Sequence, residues 1–364
     1  MDRIAEIWGR VERSLFPHLQ ECLAGMSERH RDLVMVLETV RIEGYVRPGC
    51  LQWMGRRRED RKSLARAFVA KALYNEPTTK SFIERLRMDE RLRRICGWER
   101  RNQIPSESTF SRAFSEFAAT CLADEAHKAG VKEYLGDEVV WHVSRDSTEV
   151  EAREKPVAKP KKEPQPKRKR GRPRRGEERP KPEPTRLERQ MTQSIGEAVS
   201  ELPVACDVGA KVDSKGNKHY WVGYKLHVDI GDGCIPLSAL TTSASLHDSQ
   251  VAIPLARMTA ERVESFYDLM DSAYDARPIK EVSRELDHVP IIDPAARRNV
   301  EAVPLAPDRQ ERYKTRTTAE RFNARLKDDR GGRMVRVRGK PKVHAHLMFG
   351  VLVIFAEALL GLAH

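Results

Sequence analysis

A long basic, proline-rich stretch at residues 153–189 divides the sequence and limits what the chain can fold into. Its 37 residues include 16 Lys and Arg, 6 Glu and 8 of the chain's 21 prolines, but only two large aliphatic side chains, Val157 and Leu187. A segment of this composition cannot bury enough apolar surface to offset its conformational entropy, so we predict that it is disordered. Any folded core must come from the residues on its two sides.

The same stretch carries most of the chain's positive charge. The 364 residues have a formal net charge of +12, and residues 153–189 account for +10 of it, which leaves +2 for the rest. Such a balance favours a polyanionic partner, nucleic acid first and an anionic membrane second. The six cysteines form no C-x-x-C pair and the first residues lack the apolar run of a secretory signal, so we expect reduced thiols and a cytoplasmic location.

The hydrophobic period differs on the two sides of the basic stretch. Residues 1–128 show helical spacing, which predicts an all-α N-terminal domain. From residue 136 a strand-like alternation begins, and strand candidates then alternate with helix candidates. This order predicts an α+β or α/β domain with a mixed sheet at 136–364. The basic stretch then lies inside the second domain and not between the two.

The predicted elements of the second domain are strands at 139–143, 220–228, 235–241, 266–271 and 289–292, and helices at 248–262, 276–286 and 313–328. The C-terminal run at 343–363 is strongly apolar, which raises the alternative of a membrane span. A spanning helix needs about 20 mostly apolar residues. The uncharged part of the run covers only 347–356, so we predict a buried core helix.

Two aspartates stand where predicted strands end. Asp146 follows the strand at 139–143, and Asp271 ends the strand at 266–271. Carboxylates at the strand ends of an α/β sheet project into the crevice where such folds bind ligands. The alternative is that each aspartate caps the turn or helix that follows it.

Four polar residues of the predicted helix at 313–328 share one face. At about 100° per residue, they fall within an arc of about 60°: Tyr313, Arg316, Glu320 and Lys327. The apolar residues of the same helix fall on the opposite side. A solvated charged face is the alternative explanation, but it does not account for the phenol within the arc.

The spacing Y-x2-R-x3-E-x6-K at 313–327 resembles the Y-R-E-K signature of bacterial insertion-sequence transposases of the DDE type. The segment DST at 146–148 resembles the family's segment with the first aspartate, and DSAYD at 271–275 resembles its D-x-x-Y-D segment with the second. GYKLH at 223–227 and HDS at 247–249 resemble intervening segments, and the helix at 106–114 resembles an N-terminal domain often attached to the family. The resemblance covers most of the chain outside 153–189.

This resemblance implies an RNase-H-like catalytic fold, cut-and-paste DNA transposition, and three catalytic acids. Asp146, Asp271 and Glu320 would hold two Mg²⁺ or Mn²⁺ ions, with Asp146 bridging both ions, Asp271 on one and Glu320 on the other. Carboxylate oxygens suit these ions, and an ion pair can stabilise the attacking and leaving oxygens of an in-line displacement. Water would attack first at the transposon end, and the freed 3′ hydroxyl would then attack target DNA.

The resemblance also implies the partners. They are the terminal inverted repeats of the transposon and the target DNA, with no membrane. The domain at 1–128 would recognise transposon ends and support dimer contacts, in a homodimer or larger assembly on nucleoid DNA.

Six residues are predicted to contact DNA: Tyr313, Arg316, Lys327, Lys225, Arg170 and Arg172. Arginine and lysine commonly hold phosphates, although simple solvation is an equal alternative for Lys225. The segment RGRP at 170–173 resembles an AT-hook core, which would lie along a narrow A·T-rich minor groove. Its alternative is a basic tail that binds any duplex by releasing counterions.

Other residues and functions remain open alternatives. Asp293, which also ends a strand, could replace Glu320 as the third ligand. His227 and His247 could touch metal or DNA or be structural, and a polar cluster could meet DNA: Arg297, Arg298 and Asn299. At the level of function, the alternatives are a metal-dependent nuclease that cuts without joining and a non-catalytic, transposase-derived DNA-binding protein.

Overall fold

The structure is a computed structural model of the chain and describes residues 25–47, 59–158, 183–212, 216–294, 304–333 and 335–362, together with Gly9. Within them, a helical N-terminal region precedes a six-stranded mixed sheet with helices packed against it. The predicted order, an all-α region followed by an α+β or α/β region with a mixed sheet, is confirmed.

Six helices form the described N-terminal region: α1 Glu28–Val40, α2 Arg61–Leu73, α3 Thr79–Met88, α4 Glu90–Cys96, α5 Glu107–Ala119 and α6 Leu122–Leu135. Capping boxes at Ser27 and Thr78 start α1 and α3, because each hydroxyl accepts from a backbone N–H that the first turn leaves free. The apolar faces of α2 and α5 meet at Phe68 and Phe114, whose ring centroids are 5.1 Å apart.

The sheet contains β1 Val139–Glu151, β2 Asp207–Val212, β3 Lys218–Ile230, β4 Pro236–Ser243, β5 Glu264–Met270 and β6 Val289–Ile292. The accompanying helices are α7 Arg186–Gln190, α8 Ile195–Ser200, α9 Ser249–Ala260, α10 Arg277–Glu285, α11 Pro307–Tyr313, α12 Thr317–Asp329 and α13 Lys340–Leu360. β1 is central: it pairs antiparallel with β3 and parallel with β5. β4 pairs with β3, and β6 pairs in parallel with β5.

β1 is longer than predicted, so Asp146 lies within a strand and does not follow one. The parallel pairing with β5 ends at Ser144 and Leu269, but the antiparallel pairing with β3 continues to Glu151. The prediction of a strand end before Asp146 is therefore wrong. Asp271 does follow its strand directly, because β5 ends at Met270.

The chain leaves the sheet after β1 and returns to the same point at β2. Glu151, the last residue of β1, and Asp207, the first of β2, both pair with Gly223. Gly223 has φ +155°, and a Cβ there would lie 2.1 Å from the carbonyl oxygen of Val150, so only glycine fits. Residues 152–206 are thus an insert at one edge of the sheet.

The returning part of this insert is folded and docked on α9. The Arg257 guanidinium donates to the backbone carbonyls of Gln190, Met191 and Gln193 at 2.6–2.8 Å. The Gln190 side chain donates to the carbonyl of Gln250 at 3.0 Å. The sequence did not predict α7, α8 or β2.

The first residues of α7, 186–189, belong to the stretch predicted to be disordered, and that boundary is wrong. A capping box between Thr185 and Glu188 starts the helix, and the Leu187 side chain is buried. Residues 159–182, which contain Arg170 and Arg172, lie outside the described residues.

One apolar cluster joins the N-terminal helices, the sheet and α13, with Leu64, Leu226, Phe322 and Val351 among its buried members. By length and composition α13 could cross a membrane, but 83% of its most apolar 18-residue stretch is buried within the protein. This burial is typical of a core helix. The boundary between domains at 1–128 and 136–364 crosses the shared core and stays a prediction.

Candidate active site

The three predicted acids come from elements that meet on one side of the sheet. Asp146 lies on β1, Asp271 directly follows its parallel neighbour β5, and Glu320 lies in the first turn of α12. α12 packs against β1 and β3. The fold thus brings together three acids that are separated in sequence by 125 and 49 residues.

All three carboxylates contact one side chain, that of Arg316. Its Nη2 lies 3.3 Å from Oδ1 of Asp146 and 3.7 Å from Oδ2 of Asp271. Its Nη1 donates to Oε1 of Glu320 at 3.0 Å. The Arg316 side chain is only 15% exposed, so one largely buried positive charge holds three negative ones together.

Asp146 is the most enclosed of the three acids, with its side chain 19% exposed. Its Oδ2 accepts a hydrogen bond from Nδ2 of Asn323 at 2.9 Å. Burial raises the pKa of Asp146 to about 6 and the charge of Asp271 adds to the shift, although Arg316 partly opposes it. The site therefore holds this carboxylate under electrostatic strain, which a cation relieves.

Asp271 is a cap, one of the two interpretations that the sequence left open, and it also faces Arg316. Its Oδ1 accepts from the backbone N–H of Ala273 at 2.9 Å and so caps the short 3₁₀ turn that follows. Its other oxygen faces Arg316. Burial raises the pKa of Asp271, and nearby Asp248 and Asp293 add to the shift.

The signature segment is not the single helix that was predicted for 313–328. α11 ends at Tyr313, a 3₁₀ turn spans Lys314–Arg316, and α12 begins at Thr317. The Thr318 hydroxyl lies 3.2 Å from the hydroxyl of Ser144 on β1, which ties the start of α12 to the sheet. The single-helix prediction is wrong because the chain tightens where it meets the sheet.

Glu320 and Tyr313 lie at the open side of the site. The Glu320 side chain is 61% exposed. Burial raises the pKa of the half-buried Tyr313 phenol to about 12, with further contributions from Asp293, Asp271 and Glu320. The phenol is therefore a protonated hydrogen-bond donor at neutral pH.

Both lysines predicted to contact DNA are held by carboxylates. Lys327 Nζ lies 3.2 Å from Oε1 of Glu149 on β1. Lys225 Nζ donates to Oδ1 of Asp248 at 2.9 Å and to the Leu246 carbonyl at 3.0 Å. Lys225 is only 13% exposed, so free solvation does not describe it. Contact of either lysine with DNA stays a prediction.

The two histidines of the intervening segments have local partners. His227 is fully buried, and its Nε2 lies 2.9 Å from Oγ1 of Thr242. Burial lowers the pKa of His227 to about 4, so its ring is neutral. His247 Nδ1 lies 2.8 Å from Oγ of Ser249. These contacts favour the structural interpretation for both.

Asp293 follows β6 and lies close enough to raise the pKa of both Asp271 and Tyr313. The described ion pairs of Arg316 are with Asp146, Asp271 and Glu320, which favours Glu320 over Asp293 as the third acid. The polar cluster Arg297, Arg298 and Asn299 lies outside the described residues.

Two site residues were missed from the sequence. Asn323 holds Asp146, and at about 100° per residue it falls beside Arg316 on the helical wheel, so the arc could have included it. Asp248 binds Lys225 and accepts a hydrogen bond from the Ser147 side chain next to Asp146. The segment HDS at 247–249 was described as an intervening segment of the family, but its spacing did not indicate that Asp248 contacts Lys225 or Ser147.

The donor set suits a hard divalent cation, because three carboxylates offer the oxygen ligands that Mg²⁺ and Mn²⁺ prefer. The Arg316 guanidinium already stands among them as a positive charge. In this arrangement, no group of three or more His, Cys, Asp or Glu side chains is placed to hold a metal ion within the described part of the chain. In this arrangement Arg316 is the cation that the three carboxylates share.

Comparison with known proteins gave two matches to protein families. A family model described as "Transposase DDE domain" matches residues 141–356, more than half of the chain and all of the acids above. A second, described as "Transposase domain (DUF772)", matches residues 26–116, from just before α1 into α5. Neither the curated proteins nor the solved structures gave a match.

Proposed function

The chain belongs to the family of transposases with a DDE domain, and from that premise we propose that it cuts DNA at the ends of a mobile element and joins them to target DNA. Its mixed sheet, with β1 between β3 and β5, is consistent with an RNase-H-like domain of this family. The family supports transposase function in general; cleavage followed by strand transfer is our proposal for this chain.

The proposal rests on one observation: the Asp146, Asp271 and Glu320 side chains meet around the Arg316 guanidinium. The three acids are distant in sequence and stand on three elements, yet each lies within 4 Å of Arg316. Acids on a solvated surface gain little from such a meeting, because exposed ion pairs contribute about 0–1 kcal/mol. A cation-binding role for the cluster accounts for it.

In the proposed reaction the carboxylates of Asp146, Asp271 and Glu320 would hold two divalent ions. The ions, when bound, would stabilise the oxygens that attack and leave the phosphorus. Arg316, freed from the acids, pairs with a backbone phosphate, and the protonated Tyr313 phenol donates to a phosphate oxygen. Lys327 exchanges Glu149 for a phosphate in the same way.

The partners follow from the same proposal. The helical region at 26–116, which matches a transposase domain of its own, binds the terminal repeats. Because two ends are processed in one event, the working assembly contains at least two copies of the chain. We place this assembly on nucleoid DNA in the cytoplasm.

Cleavage of the chain's own flanking DNA tests the proposal. The probe is a supercoiled plasmid that carries the gene with its native flanks, incubated with Mg²⁺ or Mn²⁺ at several concentrations. We expect metal-dependent cuts at the boundaries of terminal repeats, and none with Asp146→Asn, Asp271→Asn or Glu320→Gln protein. Wild-type rates from the Asp271→Asn protein would refute the assignment of the acids.

The cleavage assay, combined with a DNA-binding assay and a strand-transfer assay on pre-cleaved ends, separates the two alternatives. A protein that binds the flanks but cuts under no metal is the non-catalytic DNA-binding protein. A protein that cuts but leaves pre-cleaved 3′ ends unjoined is a nuclease of the same fold.

A further inference from the structure

A buried ion pair joins the neighbouring strands β1 and β3 next to the acid cluster. The Arg145 guanidinium donates to both carboxylate oxygens of Asp229, with Nε at 2.8 Å and Nη2 at 2.7 Å. The two residues are direct cross-strand partners of β1 and β3, and their side chains are 1% and 0% exposed. Since successive side chains of a strand alternate between faces, Arg145 lies on the face opposite Asp146.

The same guanidinium also reaches the strand that carries the second acid. Arg145 Nη1 lies 3.4 Å from the sulfur of Met270, the residue before Asp271. Arg145 itself is the residue before Asp146. One side chain therefore joins β1 and β5 at the two positions that immediately precede the aspartates.

Neighbouring helices hold both ends of this arrangement. The Thr259 hydroxyl of α9 donates to Oδ2 of Asp229 at 2.7 Å. On β5, the buried Asp268 accepts from the Ser283 hydroxyl of α10 at 2.6 Å. The charges are thus hydrogen-bonded. A shift of β1 against β3 would break the two Arg145–Asp229 bonds, and a shift of β1 against β5 would break the Arg145–Met270 contact.

Stability alone does not explain why charges occupy this place. Removing two ions from water costs several kcal/mol each, and apolar residues of similar volume are often equally stable or more so. A planar guanidinium paired through two parallel hydrogen bonds fixes the relative orientation of the two strands, which apolar packing does not do.

We propose that Arg145 is a positioning residue whose pair with Asp229 and contact with Met270 fix the separation of the Asp146 and Asp271 carboxylates. The inference rests on the proposed function, in which the two carboxylates act on the same ions. A displacement of 1 Å at a reacting centre costs about 10²-fold in rate.

The test replaces the pair with apolar residues and measures metal binding apart from activity. Arg145→Met/Asp229→Leu is compared with wild type and with a control, Arg277→Met/Glu281→Leu. The control removes a pair with an Nε–Oε1 distance of 2.6 Å within α10. Three quantities are measured: the thermal unfolding midpoint, the Mn²⁺ affinity without DNA by electron paramagnetic resonance, and the nicking rate at saturating plasmid.

We expect the Arg145/Asp229 variant to unfold near the wild-type temperature, because replacing a buried ion pair with apolar residues is often neutral for stability. Its Mn²⁺ affinity should fall by about tenfold and its nicking rate by about 10²-fold, with little change in the plasmid concentration needed for half-maximal rate. The control should keep the wild-type Mn²⁺ affinity and the wild-type nicking rate. If the double variant does not fold, Arg145→Lys, which keeps the charge but loses the fork, should show the same two losses.

A folded variant whose Mn²⁺ affinity and nicking rate stay within twofold of wild type would overturn the inference and leave the proposed function standing. A wild-type protein that neither binds Mn²⁺ nor nicks DNA would contradict the proposed function, and the inference with it.

Discussion

Arg316 determines the charge balance of the site, since it is the cation that the three acids share. Without it, three carboxylates would face one another and the net charge would change from −2 to −3. Unit charges about 4 Å apart attract by about 4 kcal/mol at an effective dielectric of 20. Solvent weakens the interaction with the exposed Glu320 most. In the proposed function, metal ions would therefore compete with Arg316 for the same oxygens.

Removing that competitor should strengthen metal binding in the absence of DNA. We expect Arg316→Gln protein to bind Mn²⁺ roughly tenfold more tightly than wild type, because the ligands keep their charge and lose their internal counterion. It should still fail to cleave DNA, since glutamine cannot pair with a phosphate as the guanidinium does. The control is Arg321→Gln, which removes an exposed arginine from the same helix. Equal Mn²⁺ affinities for the two variants would contradict the competition.

The raised pKa of Asp146 makes a prediction about stability. A carboxyl with a folded pKa of about 6 against an ordinary 3.8 binds its proton more tightly in the folded state, so the fold loses stability as the pH rises from about 4 to above 6. Asp146→Asn should therefore stabilise the metal-free protein at pH 8 by up to about 3 kcal/mol. Near pH 4 the substitution should have little effect.

Urea unfolding in EDTA at both pH values measures the difference. A variant that is less stable than wild type at pH 8 would show that Asp146 is not strained in the metal-free fold. For activity the sign is the reverse: cleavage needs the ionised Asp146 carboxylate, so the rate should fall once a lower pH protonates it.

Single residues of the site were predictable where a local pattern contained them. The helical arc contained Arg316 and Glu320, and the strand-end pattern contained Asp271. The same pattern selected Asp146 although this residue lies within β1. No sequence pattern indicated that Arg145 has a role near the site, because its partner Asp229 is 84 residues away and only the register of β1 and β3 brings them together. A charged residue in a strand otherwise suggests a solvated position.

At the scale of elements, strands and helices with their own apolar period were predicted, and those that depend on partners were not. β6 was predicted at 289–292 and is observed there. β2 was missed because its side chains are mostly exposed and only pairing with the extended end of β3 makes it a strand. The 3₁₀ turn at Lys314–Arg316 was missed because helical spacing is preserved on both sides of it.

The docking of α7 on α9 depends on Arg257, which predicts a local effect. Arg257→Met should free the carbonyls of residues 190, 191 and 193, each bonded to a charged donor, at a cost of about 1.5–3 kcal/mol per hydrogen bond. Amide hydrogen exchange should then accelerate over 186–200 and remain unchanged in β1. Arg284→Met, an exposed change on α10, is the control. Unchanged exchange at 186–200 would show that other contacts hold the insert.

At the scale of the whole molecule, the residues outside 153–189 are close to neutral and the basic stretch provides the excess charge. Residues 159–182 alone hold 12 Lys and Arg against 3 Glu. They are joined to the sheet edge at Ala152 and to α9 through α7. Composition indicated this concentration of charge, but the attachment points became visible only in the structure.

Replacing residues 159–182 with a Gly/Ser linker of equal length tests the role of the charge and leaves both attachments in place. We expect weaker binding to any duplex and a shallower dependence of affinity on salt, by about 0.9 in slope for each phosphate that the variant no longer neutralises. A larger loss on an A·T-rich than on a G·C-rich duplex would support groove reading by the RGRP segment. An unchanged salt slope would contradict DNA binding by this stretch.

The most direct measurement of the central claim is strand transfer. Pre-cleaved ends of the element with a free 3′ hydroxyl are incubated with the protein, Mg²⁺ and a target plasmid, and the junctions are sequenced. We predict element ends joined to the target by wild-type protein, and none by Asp271→Asn protein. Cut plasmid without joined ends, or equal joining by the Asp271→Asn protein, would contradict the claim.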